Sequence, residues 1–151
     1  MTINDNWGYS ARDRNWKSTR QLIYNLVSCA SGAGNYLLNV GPRADGTIPL
    51  PSIRHLKEMG KWMRINGESI HGSERLPIRG GMIGLTTANG NTLYLHVFRW
   101  SGKEATIACV KNKVISAHIV ASKQEVDITQ KEDRVFLRNL PKKAPDRYDS
   151  V

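Results

Sequence analysis

The sequence predicts an α/β segment followed by an all-β segment, and three observations carry that prediction. Residues 1–72 alternate short apolar runs with stretches of helical periodicity, in the order strand, helix, strand, helix. From Ser73 onward the helical period disappears. In its place come short β-rich runs, opened by an Asn89-Gly90 pair of the kind that turns a hairpin. The first pattern implies parallel strands with helical crossovers, and the second an antiparallel sandwich. The boundary between the two, and so between domains 1–72 and 73–151, falls at Gly72.

The elements follow in order. Met1–Asp5 reads as a short extended segment ending in the polar turn Asn4-Asp5-Asn6. A helix starts at Ser18, which forms a capping box with Gln21, and Leu22, Ile23, Leu26, Val27 and Ala30 share one face. Gly32 and Gly34 are expected to stop it, as glycine does past a helix C-terminus. Tyr36–Val40 is a short apolar run between glycines and reads as a strand buried on both faces. Gly41-Pro42 ends it and Asp45-Gly46 turns the chain. A second helix is expected from near Ser52, with Ile53, Leu56, Met59 and Met63 on one face and Gly67 closing it. Beyond Ser73, strands are predicted at Ile83–Thr87, Thr92–Trp100, Ala105–Val110, Val114–Ala121, Val126–Thr129 and Arg134–Arg138. Polar turns separate them at Ser101-Gly102-Lys103, Lys111-Asn112-Lys113 and Lys131-Glu132-Asp133.

Composition narrows the function classes. The 151 residues are 40% hydrophobic and 23% charged, a globular balance. No apolar run nears the ~20 residues of a membrane helix, so no membrane partner is expected. Met1–Ser10 has neither the basic start nor the apolar middle of a signal peptide. Cys29 and Cys109 are too few for a disulfide framework, and His55, His71, His96 and His118 lie at no ligand spacing, so no metal is expected. The net charge is +9, but it is evenly spread. The first 75 residues hold ten basic and six acidic side chains, and the rest hold twelve and seven. A nucleic-acid footprint would be localised, so none is expected.

Two parallel strands with open edges do not make a stable sheet, and a complete α/β barrel takes about 250 residues. The antiparallel half also stops at Val151, where a further apolar segment should begin. Both ends are therefore expected to be truncated, the chain being part of a larger protein.

Residues 2–72 resemble family 29 of the glycoside hydrolases, the α-L-fucosidases. The resemblance rests on Asn6-Trp7-Gly8-Tyr9, Lys17-Ser18 and Gln21-Leu22-Ile23. It continues through Gly34-Asn35-Tyr36-Leu37-Leu38-Asn39-Val40-Gly41-Pro42, Asp45-Gly46-Thr47-Ile48-Pro49, Gly60-x-Trp62 and Asn66-Gly67-Glu68-x-Ile70-x-Gly72. Tyr36 departs from it, standing where the family has an aliphatic residue. Past Ser73 the likeness is looser, resting on Leu93–Trp100 and on Leu140-Pro141 with Pro145-Asp146. The resemblance implies the last βα units of a (β/α)8-like barrel joined to an antiparallel β-sandwich. It also implies retaining hydrolysis of terminal α-L-fucose from a fucosylated glycan, with no cofactor. The family's aspartate nucleophile and its carboxylic acid/base lie before the Trp-Gly-Tyr segment. They are expected upstream, in a missing N-terminal barrel half, and no catalytic residue is assigned to this chain. By family analogy the setting is secreted, periplasmic or lysosomal.

Substrate-binding roles are expected for Trp7 and Asn39. Trp7 follows a strand end, where a barrel builds its pocket, and the family's aromatic there meets the apolar face and methyl group of fucose. Packing under the next loop is the plainer reading. Asn39 ends the second strand, where it either faces the pocket or fixes the Gly41-Pro42 turn. Asp5 and Asp45 read as turn residues bonding local backbone, Glu58 as a polar-face residue, and Glu68 as a backbone ligand at the domain junction. Cys29 reads as a small core hydrophobe, and Trp16 and Trp62 as helix-packing residues. Neither a Ser/His/Asp nor a Cys/His arrangement is visible. Tyr94, Phe98 and Trp100 alternate at strand spacing and are expected to pack. Were they exposed, they would offer a sugar platform, and the alternative function would be a standalone carbohydrate-binding module or an enzyme remnant.

Overall fold

The computed structural model describes residues 1–76, 78 and 84–151. Helix α1 spans Thr19–Ser31, and the Ser18 side chain accepts a hydrogen bond from the Gln21 amide at its N-terminus. Leu22, Ile23 and Val27 are buried on one face, as the 3.6-residue period requires. At the other end Gly34 donates back to the Cys29 carbonyl at 2.7 Å. The left-handed residue of that stop is Ala33, with φ 56, while Gly32 stays at φ −90. Glycine is thus in the expected place without taking the conformation expected of it.

Tyr36–Val40 is not a strand buried on both faces. Among the described residues it pairs with residues 1–3, through a parallel bridge between Thr2 and Asn39. Asn39 N donates to Met1 O at 2.9 Å and Ile3 N to Asn39 O at 3.3 Å. With one short neighbour, the run has a single packed side. Leu38 and Val40 pack on the helix core, whereas Leu37 is 70% exposed. The parallel pair joined through α1 is nonetheless the connection that the βα order predicts.

Helix α2 spans Leu50–Asn66, starting two residues before the expected Ser52, with Pro51 in its first turn where a missing N–H costs nothing. Its buried face is Ser52, Met59, Trp62 and Asn66, so Leu56 is 41% exposed and the expected face is rotated. The rotation follows Trp62, whose indole is large and needs a partner for its N–H; Nε1 donates to Asp149 O at 3.0 Å. Ile3, Leu22, Ile23, Val27, Met59 and Trp62 form the helix core, joined by Leu85, Phe98, Tyr148 and Val151 from the C-terminal half. A short 3₁₀ turn, Gly67–Ser69, follows α2.

Strands β1 (Leu85–Asn89) and β2 (Thr92–His96) form the expected hairpin, with Asn89 opposite Thr92. The two loop residues are therefore Gly90 and Asn91, and of these Gly90 alone takes positive φ (55), the pattern of a type II′ turn. The expected start of the first run at Ile83 lies outside the described residues. Strand β2 ends at His96, four residues short of Trp100; beyond it Val97 pairs with Ser150. Strands β3 (Ala105–Ile107), β4 (Asp127–Lys131) and β5 (Arg134–Arg138) form an antiparallel sheet in the order β3-β5-β4. Leu93 and Leu95 of β2 pack on Ile107, Val110 and Val135, so the two small sheets share apolar contacts.

Val114–Ala121 is not a strand. At its start Gln130 of β4 holds the chain, its Oε1 accepting from Val114 N while Nε2 donates to Val110 O and Asn112 O; further along Ile119 N donates to Gln124 O and Val120 N to Val151 O. Cys109, at φ 65, turns the chain away after β3, and Ile115 is 80% exposed. Only His118 pairs regularly, with Glu125.

Candidate functional site

The parallel pair sends two loops off the same end. The first, from Asn4 to Lys17, is built around one carboxylate that the sequence did not single out. Asp13 Oδ2 accepts from Asn4 Nδ2 at 2.8 Å, Asp5 N at 2.9 Å, Asn6 N at 2.9 Å and Asn6 Nδ2 at 2.8 Å. Its Oδ1 accepts from Asn15 N at 3.0 Å. Partial desolvation is the largest single influence on this carboxyl and raises its pKa. The combined hydrogen bonds from Asn6, Asn15 and Asp5 outweigh it and hold the group at about 2. Asn4-Asp5-Asn6 is thus a turn organised by a residue nine positions from its start. Asp5 accepts from Asn15 Nδ2 at 2.8 Å.

Trp7 projects from this loop with 60% of its surface exposed. Its backbone is held by the second loop: Asn39 Nδ2 donates to the Trp7 carbonyl. The structure thus brings Asn39 and Trp7 together, and it gives Asn39 the role of carrying Trp7's backbone. Gly41 lies against the next peptide. A Cβ on Gly41 would sit 2.6 Å from Tyr9 N and 2.7 Å from Gly8 C, so no side chain fits without moving backbone. Arg43, two residues on, places its guanidinium 5.8 Å from the centre of the exposed Tyr9 ring.

The remaining candidates fall elsewhere. Asp45 bonds its own turn through Thr47 N and Thr47 Oγ1, as expected. Glu58 is more than a polar-face residue: it accepts from Lys61 at 2.7 Å and from the Tyr148 hydroxyl at 3.1 Å, tying α2 to the C-terminal segment. Among the described residues the Glu68 side chain bonds no backbone and instead lies 3.7 Å from Lys123. Trp16 packs against the helix core and Trp62 is buried within it. Phe98 meets Tyr24 edge-on at 5.1 Å, and Trp100 donates to Pro141 O at 2.8 Å, so both pack, and Tyr94 is half-buried. Among the described residues no three His, Cys, Asp or Glu side chains gather as a metal site would need. A groove of about 530 Å³ along α2 is lined by Ile48, Ile53, Leu56, Lys57, Gly60, Lys61 and Arg64. Its lining holds no carboxylate and touches the second loop only at Ile48, so its chemistry suits packing.

A second polar cluster escaped the sequence altogether. Asp149 Oδ2 lies 2.7 Å from His96 Nδ1, and His96 Nε2 lies 3.2 Å from Thr87 Oγ1, all three residues being buried. The order Thr, His, Asp resembles a catalytic triad, but the hydroxyl is sealed from solvent and donates to Ser69 O at 2.7 Å. Nothing in the sequence flags this cluster, because His96 sits in a β run beside Leu95 and Val97 like any packed residue.

Acidification supplies a test of the first loop. A carboxyl with a depressed pKa adds stability above the ordinary carboxylate value and loses it as the pH falls towards the depressed one. Protection of the Asp5 and Asn6 amides, their exchange taken relative to unstructured amides at the same pH, should therefore hold down to about pH 4 and fall towards about pH 2. Asp13→Ala should lower it at neutral pH; equal protection in the variant and the parent would dismiss the loop's dependence on this carboxylate.

Comparison with known proteins agrees with this architecture. The pattern of the α-L-fucosidase family matches residues 1–68. The α-L-fucosidase of Dictyostelium discoideum is 37% identical over 103 residues, covering 64% of this chain and 22% of that protein. The structure of α-L-fucosidase isoenzyme 1 from Paenibacillus thiaminolyticus superposes with a TM-score of 0.91 at 35% identity. That match covers 99% of this chain and 37% of the other. An α-L-fucosidase from a Vibrio species superposes at 0.89 with 33% identity, over 99% of this chain and 28% of its own. The chain thus spans between about a fifth and two-fifths of the length of these relatives.

Proposed function

We propose, from the premise that the chain belongs to the α-L-fucosidase family of glycoside hydrolases, that it supplies the C-terminal portion of a retaining α-L-fucosidase. Residues 1–72 then contribute the last βα units of the catalytic barrel, and residues 73–151 most of the C-terminal sandwich. The substrate is a glycan ending in α-L-fucose. Trp7 forms one wall of the sugar site, Asn39 holds that wall in place, and the nucleophile and acid/base come from sequence upstream.

The observation that carries this reading is Trp7 itself: a large indole left 60% exposed on a loop whose backbone is fixed by Asp13, Asn39 and Gly41. Exposure alone is common, but here the exposed ring stands on backbone held by Asp13 and Asn39, which gives it a fixed position. Both loops also leave the same end of a parallel strand pair, the end where barrels place their sites. A flat apolar ring there suits the CH-rich face and methyl group of fucose.

The local carboxylates argue for chemistry elsewhere. Retention needs two carboxyl groups about 5–5.5 Å apart, one of them an acid with a raised pKa. Asp13 has the opposite character, held at about 2 with both oxygens occupied by hydrogen bonds. Asp13 therefore cannot deliver a proton to a leaving group near neutral pH. Asp5 is engaged with Asn15.

In an enzyme joining this chain to its upstream barrel, Trp7→Ala should lower kcat/KM for an aryl α-L-fucoside about tenfold or more, about 1.4 kcal/mol of transition-state binding. Trp7→Phe should recover most of that loss. Unchanged kinetics in the alanine variant would remove Trp7 from the site.

A further inference from the structure

The buried Thr87–His96–Asp149 cluster has a proton count that its hydrogen bonds determine. Thr87 has one hydroxyl proton. Its oxygen lies 2.7 Å from the Ser69 carbonyl, which can only accept, so the proton points there. Thr87 Oγ1 therefore meets His96 Nε2, 3.2 Å away, as an acceptor, and Nε2 must carry a hydrogen. The 2.7 Å contact between His96 Nδ1 and Asp149 Oδ2 needs a hydrogen as well, on the nitrogen or on the oxygen. The pair consequently holds two protons, whether as imidazolium and carboxylate or as imidazole and carboxylic acid.

Burial favours this count. His96 and Asp149 are both 0% exposed, and Asp149 Oδ1 has no hydrogen-bond partner among the described residues, so a lone carboxylate there would be poorly compensated. Desolvation pushes the Asp149 carboxyl above its ordinary range, opposed by the His96 bond and more distantly by Arg20 of α1, with Asp146 adding to the rise. Those are the charged groups facing the pair. From α2 it meets the Trp62 indole, with ring centroids 6.3 Å apart; from the 3₁₀ turn and β1 come only the neutral Ser69 carbonyl and Thr87.

We infer that Thr87, His96 and Asp149 form a proton-retaining lock, which binds the C-terminal segment to the β1–β2 hairpin and the end of α2 and is tightest in mildly acidic surroundings. Around it Asp149 O accepts the Trp62 indole N–H and Ser150 pairs with Val97, so losing the lock loosens elements from both halves.

The sign follows from linkage. An unfolded chain at about pH 4 to 6.5 also carries two protons on this His and Asp, so the pair adds no pH dependence there. Above about 6.5 the unfolded histidine gives up its proton while the folded pair keeps both. Stability then falls by up to tenfold in the folding constant per pH unit, about 1.4 kcal/mol. Below about pH 4 the unfolded aspartate takes up a third proton and stability falls again.

Urea unfolding of the 151-residue chain between about pH 6.5 and 8.5 reads this directly. Asp149→Asn is the decisive variant, because its amide N–H can donate to a neutral Nδ1 and keep the bond without the extra proton. The parent should lose close to tenfold more per pH unit than the variant. Parallel pH profiles would overturn the lock. Should Asp149→Asn fail to fold, the parent's proton NMR spectrum at about pH 8 decides: the inference requires a far-downfield resonance from the Nδ1–Oδ2 hydrogen, and its absence would overturn it.

Discussion

Asp149→Ala should destabilise the chain by about 3–5 kcal/mol, the cost expected when one partner of a buried, hydrogen-bonded pair is deleted. Three losses combine. His96 Nδ1 is left without a partner inside a sealed site. A cavity replaces the carboxylate, and the backbone that accepts the Trp62 indole N–H loses its anchor. Asp149→Asn should cost much less near neutral pH, since it refills the space and can donate to Nδ1. Urea midpoints for the two variants test this order. Equal losses would mean that an isosteric amide neither restores the packing nor makes the bond to His96 Nδ1.

Gly41→Val should be nearly as damaging, and it acts on the proposed sugar site. The added Cβ meets the Gly8–Tyr9 peptide at 2.6–2.9 Å, and backbone cannot swing aside as a flexible side chain can. Overpacking of this kind costs about 1–3 kcal/mol. The strain falls on the loop that presents Trp7, so its signature is local: faster amide exchange at Gly8 and Tyr9, and a changed environment for the Trp7 indole. Gly41→Ala carries the same clash with a smaller group. A variant that unfolds at the parent's urea midpoint, with these amides unchanged, would refute the close approach.

The elements set by local chemistry were legible in the sequence. Ser18 caps α1 because its side chain meets the Gln21 amide within one turn, and the Gly90 hairpin needs only residues already adjacent. The elements that failed depend on partners far along the chain. Tyr36–Val40 has the composition of a doubly buried strand, yet its burial is decided by what lies beside it, here residues 1–3. Val114–Ala121 alternates like a strand, but its bonds go to the Gln130 side chain, Gln124, Val126 and Val151 in turn and not to one neighbouring strand. The face of α2 turned because Trp62 needed Asp149, 87 residues away.

The site divides in the same way. Trp7 and Asn39 were singled out because they stand at or just past the ends of predicted strands, where a parallel architecture gathers its loops, and the structure sets the two side by side. Asp13 was not, since five hydrogen bonds converge on it from Asn4, Asp5, Asn6 and Asn15, and no spacing rule announces such a knot. His96 and Asp149 lie 53 positions apart and meet only through the hairpin and the Val97–Ser150 pairing.

The central claim is that this chain furnishes a wall of a fucose site without the carboxylates that break the bond. It is tested most directly by incubating the purified 151-residue chain, shown to unfold cooperatively in urea, with an aryl α-L-fucoside and measuring release of the phenol. The account predicts no release above the uncatalysed rate. Turnover that disappears in Asp5→Asn or Asp13→Asn would contradict it, because the catalytic carboxylates would then lie within this chain.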